Sequence, residues 1–331
     1  MSPAWNEVID LEAMMKLIDL HCDTLSELVK LPEGVTLWDN PLDVDIEGLK
    51  RAGMVVQFFA CYVDGKAYSN WDEAYQAVVE MLDRLEAEQC SDLSQVFAYS
   101  DIVENIVAGR ISAVAAVEEG GILNGDVSRL TKLYDRGVRL ITFTWNYENC
   151  IGYPNSWDSY EMSEGLKPFG FQVIEEMNRQ GMLIDVSHLS EGGFWDCINH
   201  SKAPICASHS DARALCDHPR NLTDDMLMAL AENGGVAGLN FVPDFLNPKA
   251  LATCKDIALH AKYMINVAGE DVVALGADLD GFKNQKREDW VGHVREMDFI
   301  WPHFEKVGIT QRQMDKISFG NANRVMKDVL K

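Results

Sequence analysis

Histidines and carboxylates stand directly after several apolar segments of this 331-residue chain. The first segment, residues 17–20, is followed by His21, Cys22 and Asp23. Because side chains alternate between the two faces of a strand, we expect His21 and Asp23 on one face and Cys22 on the other. An imidazole and a carboxylate on one face make half of a metal ligand set. Taken alone, the same residues also fit a strand end that runs into a polar turn.

Four later apolar segments end in residues of the same kind. They are followed by Glu118 and Glu119 before Gly120, by Ser187 and His188 after Asp185, by His209 between Ser208 and Ser210, and by Asp278 and Asp280 before Gly281. Parallel strands bring their C-terminal ends to one side of a barrel, so these side chains are predicted to meet in one pocket.

The ligand types and their number predict two metal ions. The expected groups are His21 with Asp23 for one ion and His188 with His209 for the other. A single carboxylate would bridge the two ions, and either Glu118 or Glu119 is available for this. Imidazole and carboxylate ligands favour zinc, then cobalt or manganese. Two such ions that share a carboxylate and a hydroxide form a hydrolytic centre. The alternative is one metal ion, with the remaining histidines in hydrogen bonds.

A carboxylate after the last apolar segment is placed to move a proton. Asp278 follows residues 272–276 and would lie beside a metal-activated water. Asp280 shares its face if the strand continues. We predict Asp278 as the catalytic acid because it is nearer the strand end. The alternative is that either aspartate caps the turn at Gly281.

Eight apolar segments of strand length recur along the chain, and helix-like segments separate most of them. Near-continuous apolar runs are typical of parallel strands that are buried on both faces. They predict a (β/α)8 barrel, with residues 1–331 as one catalytic domain. A doubly wound open sheet is the alternative, but no glycine-rich phosphate loop follows the first segment. Residues 95–99 fit an extra edge strand or part of a crossover. The strand segments are 17–20, 54–63, 111–117, 138–144, 182–186, 203–208, 235–241 and 272–276, and the helical segments are 71–88, 127–136, 166–180, 224–232, 255–268, 310–315 and 323–330.

Composition restricts the partners and the location. The formal net charge of -23 repels phosphate backbones, so we expect no nucleic-acid partner. Residues 1–15 lack the basic segment and apolar core of a secretory signal, and no apolar run reaches membrane-spanning length. The eight cysteines include no CxxC pair and are expected to be reduced. These features predict a cytoplasmic protein with no membrane partner.

Taken in order, these motifs resemble the membrane dipeptidase (renal dipeptidase) family of zinc peptidases. The matching motifs are residues 18–24, 117–121, 183–188, 207–210, 219–222, 276–281 and 320–325, and they span nearly the whole chain. The resemblance implies a metal-dependent barrel hydrolase that cleaves small dipeptide substrates, and it also implies a homodimer.

The resemblance implies a role for each site residue. It places His21 and Asp23 on one zinc ion and His188 and His209 on the other, with Glu119 as the bridge and Glu118 as a neighbour. Arg220 would hold the C-terminal carboxylate of the substrate, which a guanidinium can bind with two hydrogen bonds. Asp278 would be the catalytic acid. A site that requires this carboxylate close to the metals is expected to reject long peptides.

One segment departs from the family pattern. Mammalian members carry a histidine thought to hydrogen-bond the substrate carbonyl, and Trp145 stands at its place in this chain. The indole N–H is still a donor, and Asn146, Tyr147 and Asn149 offer others. We predict Asn146 and Tyr147 as substrate-binding residues, and at this segment the resemblance does not by itself imply the mammalian substrate range.

Two other functions are compatible with the same motifs. One is a two-metal amidohydrolase that acts on a lactam, a cyclic amide or an N-acyl amino acid. Many such barrels bridge their metals with a carbamylated lysine, and residues 138–144 contain no lysine. The other is a non-catalytic metal-binding barrel, against which the complete ligand set and the acid Asp278 argue. Both points favour the dipeptidase.

Overall fold

The computed structural model describes residues 15–249, 251–283 and 287–331. The interpretation of residues 1–14 as lacking a secretory signal lies outside the described residues.

Within the described residues, nine strands form one parallel sheet. They are β1 Leu17–Asp19, β2 Met54–Tyr62, β3 Leu93–Gln95, β4 Ile111–Glu118, β5 Val138–Thr142, β6 Leu183–Asp185, β7 Cys206–Ala207, β8 Val236–Leu239 and β9 Val273–Leu275. The strand order is β2-β1-β9-β8-β7-β6-β5-β4, and pairing of β2 with β4 closes the ring. This closed barrel of eight strands confirms the predicted (β/α)8 fold.

The strand β3 lies outside the closed ring. It pairs with Ile111, Ser112 and Ala113 at the start of β4, whereas β5 pairs with β4 only from Ala115 onward. The late start of β5 leaves backbone groups at the start of β4 without a partner, and β3 satisfies them. The extra edge strand therefore exists. It begins at Leu93, two residues before the start of the predicted segment 95–99.

Helices separate the strands. They are α1 Thr24–Leu28, α2 Ile46–Ala52, α3 Trp71–Ala87, α4 Tyr99–Ala108, α5 Val127–Asp135, α6 Ser159–Ser163, α7 Pro168–Gln180, α8 Glu191–His200, α9 Asp224–Glu232, α10 Pro243–Leu246, α11 Cys254–Ala268, α12 Trp301–Lys306, α13 Gln311–Asp315 and α14 Asn321–Val329. Short 3-10 turns occupy Gly65–Ala67, Gly120–Leu123 and Val294–Ile300, and a π turn occupies Lys316–Gly320. Searching the described residues for a helix long and apolar enough to cross a membrane finds none.

The predicted start of segment 224–232 and the predicted end of segment 166–180 coincide with the start of α9 and the end of α7. The side chain of Thr223 accepts a hydrogen bond from the backbone N–H of Met226, which caps the start of α9. The helix α7 ends at Gly181, whose left-handed conformation (φ 81°) suits a residue without a Cβ. Such caps determine where helices begin and end, and so determine the length of the loops between helices and strands.

On each strand, every second side chain points into the barrel interior and helps to fill it. Val114 and Ala116 of β4 belong to a buried apolar cluster that also contains Val325 and Met326 of α14. Glu118 follows at the same period of two, so its side chain points into the same interior. Apolar residues thus fill the barrel beneath the point where Glu118 begins the polar layer.

Candidate metal centre and active site

A cavity of about 220 Å³ lies at the C-terminal ends of the barrel strands. Its position is the one predicted from the residues that follow the strands. It is lined by acidic, aromatic and apolar side chains, namely Asp23, Glu27, Tyr62, Glu118, Trp145, Asn146, His188, Val242, Phe245, Asp278, Asp280, Gly281 and Phe282.

Three overlapping groups of possible metal ligands meet at this cavity. The groups are His21 with Asp23 and Glu118, Glu118 with His188 and His209, and His21 with His209 and Asp278, and in each the ligand atoms lie within 4.8 Å of one another. All of these residues are buried. The two ligand pairs predicted from the sequence, His21 with Asp23 and His188 with His209, therefore lie side by side.

The carboxylate between these groups belongs to Glu118. Its Oε2 lies 3.3 Å from Nε2 of His21. Its Oε1 lies 3.0 Å from Nε2 of His188 and 3.5 Å from Nε2 of His209. One oxygen faces each group, which is the arrangement a bridging carboxylate requires.

Glu119, which the resemblance implied as the bridge, faces away from the histidines. Its Oε1 accepts hydrogen bonds from the backbone N–H of Gly121 at 2.7 Å and from Nδ2 of Asn149 at 2.5 Å. Its Oε2 accepts one from the backbone N–H of Trp145 at 3.1 Å. The carboxylate that lies among the histidines is therefore that of Glu118 and not that of Glu119.

The reason is the point at which β4 ends. The strand continues to Glu118, which keeps the inward parity of Ala116. The chain turns at Glu119, whose φ of 101° sends the next carboxylate to the other side. Counting in steps of two from Ala116 along the apolar segment would have selected Glu118.

Hydrogen bonds behind the second histidine pair determine which ring nitrogens carry protons. Nδ1 of His188 lies 3.0 Å from Oδ1 of Asn146 and donates to it. The hydroxyl of Ser208 donates to Asp185 at 2.6 Å, so its oxygen accepts from Nδ1 of His209 at 2.7 Å. Both Nδ1 atoms are thus protonated, and each Nε2 presents a lone pair to the cavity.

These lone pairs fit a cation. The Nε2 atoms of His188 and His209 are only 3.1 Å apart, and an oxygen of Glu118 lies against both. Three electron-rich atoms at such distances repel one another unless a positive charge lies among them. In the first group, both ring nitrogens of His21 and Oδ1 of Asp23 are buried without a hydrogen-bond partner among the described residues. The donor set and these unpaired atoms fit divalent metal ions.

The charges of the groups agree with this assignment. Burial and the nearby Arg220 guanidinium lower the pKa of His188 to about 4, and burial also lowers the pKa of His209 well below its usual range. Both imidazoles are therefore neutral ligands near neutral pH. Burial disfavours a charged His21, but the carboxylates of Glu118 and Asp23 outweigh it and raise the pKa of His21. A divalent cation bound to His21 would supply the positive charge that this proton supplies among the acids.

Asp278 lies beside the same groups. Its Oδ1 is 3.8 Å from Nε2 of His21, and its side chain lines the cavity. Burial raises its pKa to about 8. A Cβ on Gly281 would lie 2.2 Å from Oδ2 of Asp23 and 2.3 Å from Oδ1 of Asp278, so a glycine is required where these carboxylates pass. Asp278 thus occupies the predicted position.

Asp280 has a different environment. Its carboxylate accepts hydrogen bonds from Oγ1 of Thr24 and from the backbone N–H of Asp43, both at 2.7 Å. Both oxygens are therefore used in joining the last strand end to neighbouring loops. The structure separates two aspartates that the sequence left as competing choices.

Asn240 is a site residue that the sequence analysis missed. It follows β8 directly, and its Nδ2 donates to Oδ2 of Asp278 at 3.0 Å and to the backbone carbonyl of His209 at 3.3 Å. It orients the aspartate through Oδ2, so that Oδ1 is the oxygen directed toward His21. The signal was a polar residue at a strand end, hidden because we read residues 235–241 as an apolar segment.

The comparisons with known proteins agree with this geometry. Residues 6–331 match the family model for membrane dipeptidases, peptidase family M19. The chain belongs to this family. It is 37% identical over 229 residues to a Klebsiella pneumoniae protein described as an uncharacterized protein in the pqqA 5′ region, covering 66% of this chain and 82% of that protein. It is 31% identical over 297 residues to an uncharacterized dipeptidase of Schizosaccharomyces pombe, covering 86% of this chain and 71% of that protein.

Solved structures of the family share the fold. A metallopeptidase of family M19, dipeptidase AC, superposes with a TM-score of 0.86 at 23% identity and covers 96% of this chain and 99% of its own. A Rhodobacter sphaeroides metallopeptidase, liganded with a phosphinate mimic of the dipeptide L-Ala-D-Ala, gives a TM-score of 0.84 at 23% identity with the same coverage. The membrane dipeptidase barrel thus extends over nearly the whole chain.

Arg220 of this family member is buried next to the histidines. Its Nη2 donates to the backbone carbonyl of His209 at 3.1 Å and its Nη1 to Oγ of Ser210 at 3.3 Å. Its Nε has no hydrogen-bond partner among the described residues. It does not line the cavity itself; the ring of Phe245, which does, lies 5.5 Å from the guanidinium.

The segment after β5 forms one wall of the dipeptidase-family cavity. Trp145 lines it, edge-on to Tyr62 at 4.9 Å and to Tyr147 at 5.6 Å. Asn146 also lines it, but its side-chain oxygen is already used to orient His188. Tyr147 lies outside the lining, behind Trp145, with Nζ of Lys66 3.4 Å above its ring. Tyr147, predicted to bind substrate, thus contacts Trp145 and is not among the residues that line the cavity.

Proposed function

We propose that this protein is a metal-dependent dipeptidase that hydrolyses dipeptides with a free C-terminal carboxylate. The observation that carries the proposal is the Glu118 carboxylate between two histidine groups, with the acid Asp278 beside them in one cavity. Membership of the membrane dipeptidase family supports the choice of peptide substrates.

The chain offers ligands for two divalent cations, and zinc suits them best. The first would be held by His21, Asp23 and Glu118, and the second by His188, His209 and Glu118. Bound there, the ions would lower the pKa of a water molecule to produce the nucleophile and would polarise the scissile carbonyl.

The protein's own groups then act on the substrate. Asp278 moves a proton from the nucleophile to the leaving amine through Oδ1, since Asn240 holds Oδ2. Arg220 has a buried Nε–H without a hydrogen-bond partner among the described residues, next to Phe245 of the cavity wall, and would bind the substrate carboxylate by a charge-assisted hydrogen bond once the Phe245 ring shifts. Trp145 and Tyr62 exclude water on one side. Because Arg220 and the metal-binding groups are a fixed distance apart, the scissile bond must lie one residue from the C-terminal carboxylate. This requirement selects dipeptides.

The direct test is metal content and hydrolysis measured on one preparation, before and after chelation. We expect about two zinc ions per chain and cleavage of dipeptides that the chelator abolishes and added zinc restores. Longer peptides should not be cleaved. If the zinc-loaded protein cleaves lactams or N-acyl amino acids but no dipeptide, the amidohydrolase alternative replaces the proposal. A loaded protein without turnover on any amide would indicate a non-catalytic barrel.

Replacing Arg220 with alanine should mainly raise KM for dipeptides. The loss should be about 100-fold or less in kcat/KM, as for removal of one charge-assisted hydrogen bond of roughly 1.5–3 kcal/mol. Substrates with an amidated C-terminus lack the carboxylate and should be affected little. Steady-state kinetics on matched free and amidated substrates measures the difference, and Arg179→Ala on the surface is the control. Equal losses on both substrates would exclude the carboxylate role.

Three interpretations of the sequence remain predictions within this proposal. They are a single barrel domain over residues 1–331, a cytoplasmic location and a homodimer. The cysteine content supports the location, and the family alone supports the dimer.

A further inference from the structure

Glu119 has a backbone conformation that is unusual for its residue type. Its φ is 101° and its ψ is 84°, in the left-handed region that favours glycine, and its side chain is completely buried. A non-glycine residue persists in such a conformation only where its surroundings hold it there, and such residues cluster at functional sites. The interactions of the side chain should therefore explain why a glutamate stands at this position.

The carboxylate of Glu119 joins two loops of the barrel. It accepts from the backbone N–H of Gly121 in its own turn, and from Nδ2 of Asn149 and the backbone N–H of Trp145 in the loop after β5. The two oxygens thus receive three donors. We call residues 143–152 the β5 loop.

Asn149 gives the β5 loop its shape. Its Nδ2 also donates to the carbonyl of Phe143 at 2.8 Å, and its Oδ1 accepts from the backbone N–H of Ile151 at 2.7 Å and of Gly152 at 3.2 Å. The two ends of the loop are therefore held together through one side chain. Because Glu119 binds this same amide, it fixes the closed loop against the end of β4.

The β5 loop contacts both the cavity and a metal ligand. Trp145 forms a wall of the cavity, and Asn146 accepts the hydrogen bond that orients the His188 ring. Thr144 donates from Oγ1 to the backbone carbonyl of His188 at 3.2 Å. A displacement of the loop would thus move the substrate wall and the support of one imidazole together.

We propose that Glu119 is a positioning residue for the reaction, which holds the β5 loop so that Trp145 borders the substrate and Asn146 orients His188. This inference rests on the proposed dipeptidase function. Glu119 itself binds neither metal nor substrate; it acts through the loop. The two consecutive glutamates therefore have separate tasks, since Glu118 joins the metal groups and Glu119 places the wall.

The test replaces Glu119 with glycine. Glycine adopts φ 101° without strain, so the variant removes the carboxylate while relieving the backbone. We expect kcat/KM for dipeptides to fall about 10- to 100-fold, with a rise in KM, while metal content measured at saturating zinc stays close to that of the unmodified protein. The thermal midpoint should fall, because three buried donors lose their acceptor. Asn124→Gly is the matched control because Asn124 is also left-handed (φ 49°) and is exposed in the same region of the chain, so its kinetics should be unchanged.

Two further variants make the result decisive even if glycine prevents folding. Glu119→Gln keeps an oxygen for Asn149 and Gly121 but turns an amide N–H toward the N–H of Trp145, and should give a smaller loss of the same kind. Asn149→Ala should resemble Glu119→Gly, and the double variant should lose little more, because both act through one loop.

Several outcomes would overturn the inference. Kinetics within about twofold of the unmodified protein in both Glu119 variants would mean that the carboxylate only stabilises the fold, as would a fall in thermal midpoint without a kinetic change. Loss of metal in parallel with activity would make Glu119 part of the metal site. Absence of dipeptide turnover in the unmodified, metal-loaded protein would reject the proposed function, and this inference with it.

Discussion

Replacing Glu118 with glutamine should remove both metal binding and activity, whereas the same substitution at Glu119 should leave the metals bound. The Glu118 carboxylate faces His21 with one oxygen and His188 and His209 with the other. Glutamine offers only one oxygen and turns an N–H donor toward one of the two cation positions. We expect kcat/KM to fall by more than the roughly 100-fold that loss of an outer ligand partner costs.

The measurement is the number of metal ions per chain after dialysis, together with dipeptide turnover, for both variants. The two residues are adjacent and buried, so Glu119→Gln controls for burial of an amide at this place in the barrel. Two ions retained in Glu118→Gln would disprove the bridging assignment. Metal lost only from Glu119→Gln would restore the assignment that the family resemblance implied.

Replacing Asp278 with asparagine should abolish most turnover without loss of metal. Asparagine keeps the shape of the side chain and can still contact Asn240, but it cannot carry a proton between nucleophile and leaving amine. General acid–base catalysis contributes typically 100- to 10,000-fold, and the fall in kcat should lie in this range. KM for dipeptides should change little.

Asp280→Asn is the matched control. It stands two residues further along the chain and lines the same cavity, but its oxygens are used by Thr24 and Asp43. Steady-state kinetics with metal analysis should show a small effect, since one of the two hydrogen bonds survives. A larger fall in kcat for Asp280→Asn than for Asp278→Asn would make Asp280 the proton carrier and Asp278 the structural residue. Full activity in Asp278→Asn would mean that another group carries the proton.

The sequence by itself determined the barrel and most of the site. Buried strands of a parallel barrel read as short apolar runs, and the first polar residues after them lie at one end of the barrel. His21, Asp23, His188, His209 and Asp278 are all residues of this kind. That these side chains meet in one place could be predicted without any interatomic distance, because the topology of the fold brings the strand ends together.

The tertiary structure alone decided between neighbours. Glu118 and Glu119 are both carboxylates at the end of one strand, and the choice depends on the exact residue at which β4 ends and the chain becomes left-handed. Asp278 and Asp280 differ because residues far away in the chain, Asn240 for one and Asp43 for the other, bind their oxygens. Strand ends and hydrogen-bond partners are set by the whole fold, and local sequence patterns are uncertain by a residue or more at strand boundaries.

The second layer of the site also required the structure. The lone pairs of the second histidine pair face each other because Asn146 accepts a hydrogen bond from Nδ1 of His188 and Ser208, itself bound to Asp185, accepts one from Nδ1 of His209. Asn146 and Ser208 are short polar side chains of types that occur throughout the loops. Only their distances from the imidazoles identify them, since the energy of a hydrogen bond depends on geometry within a few tenths of an ångström and no spacing along the chain encodes that.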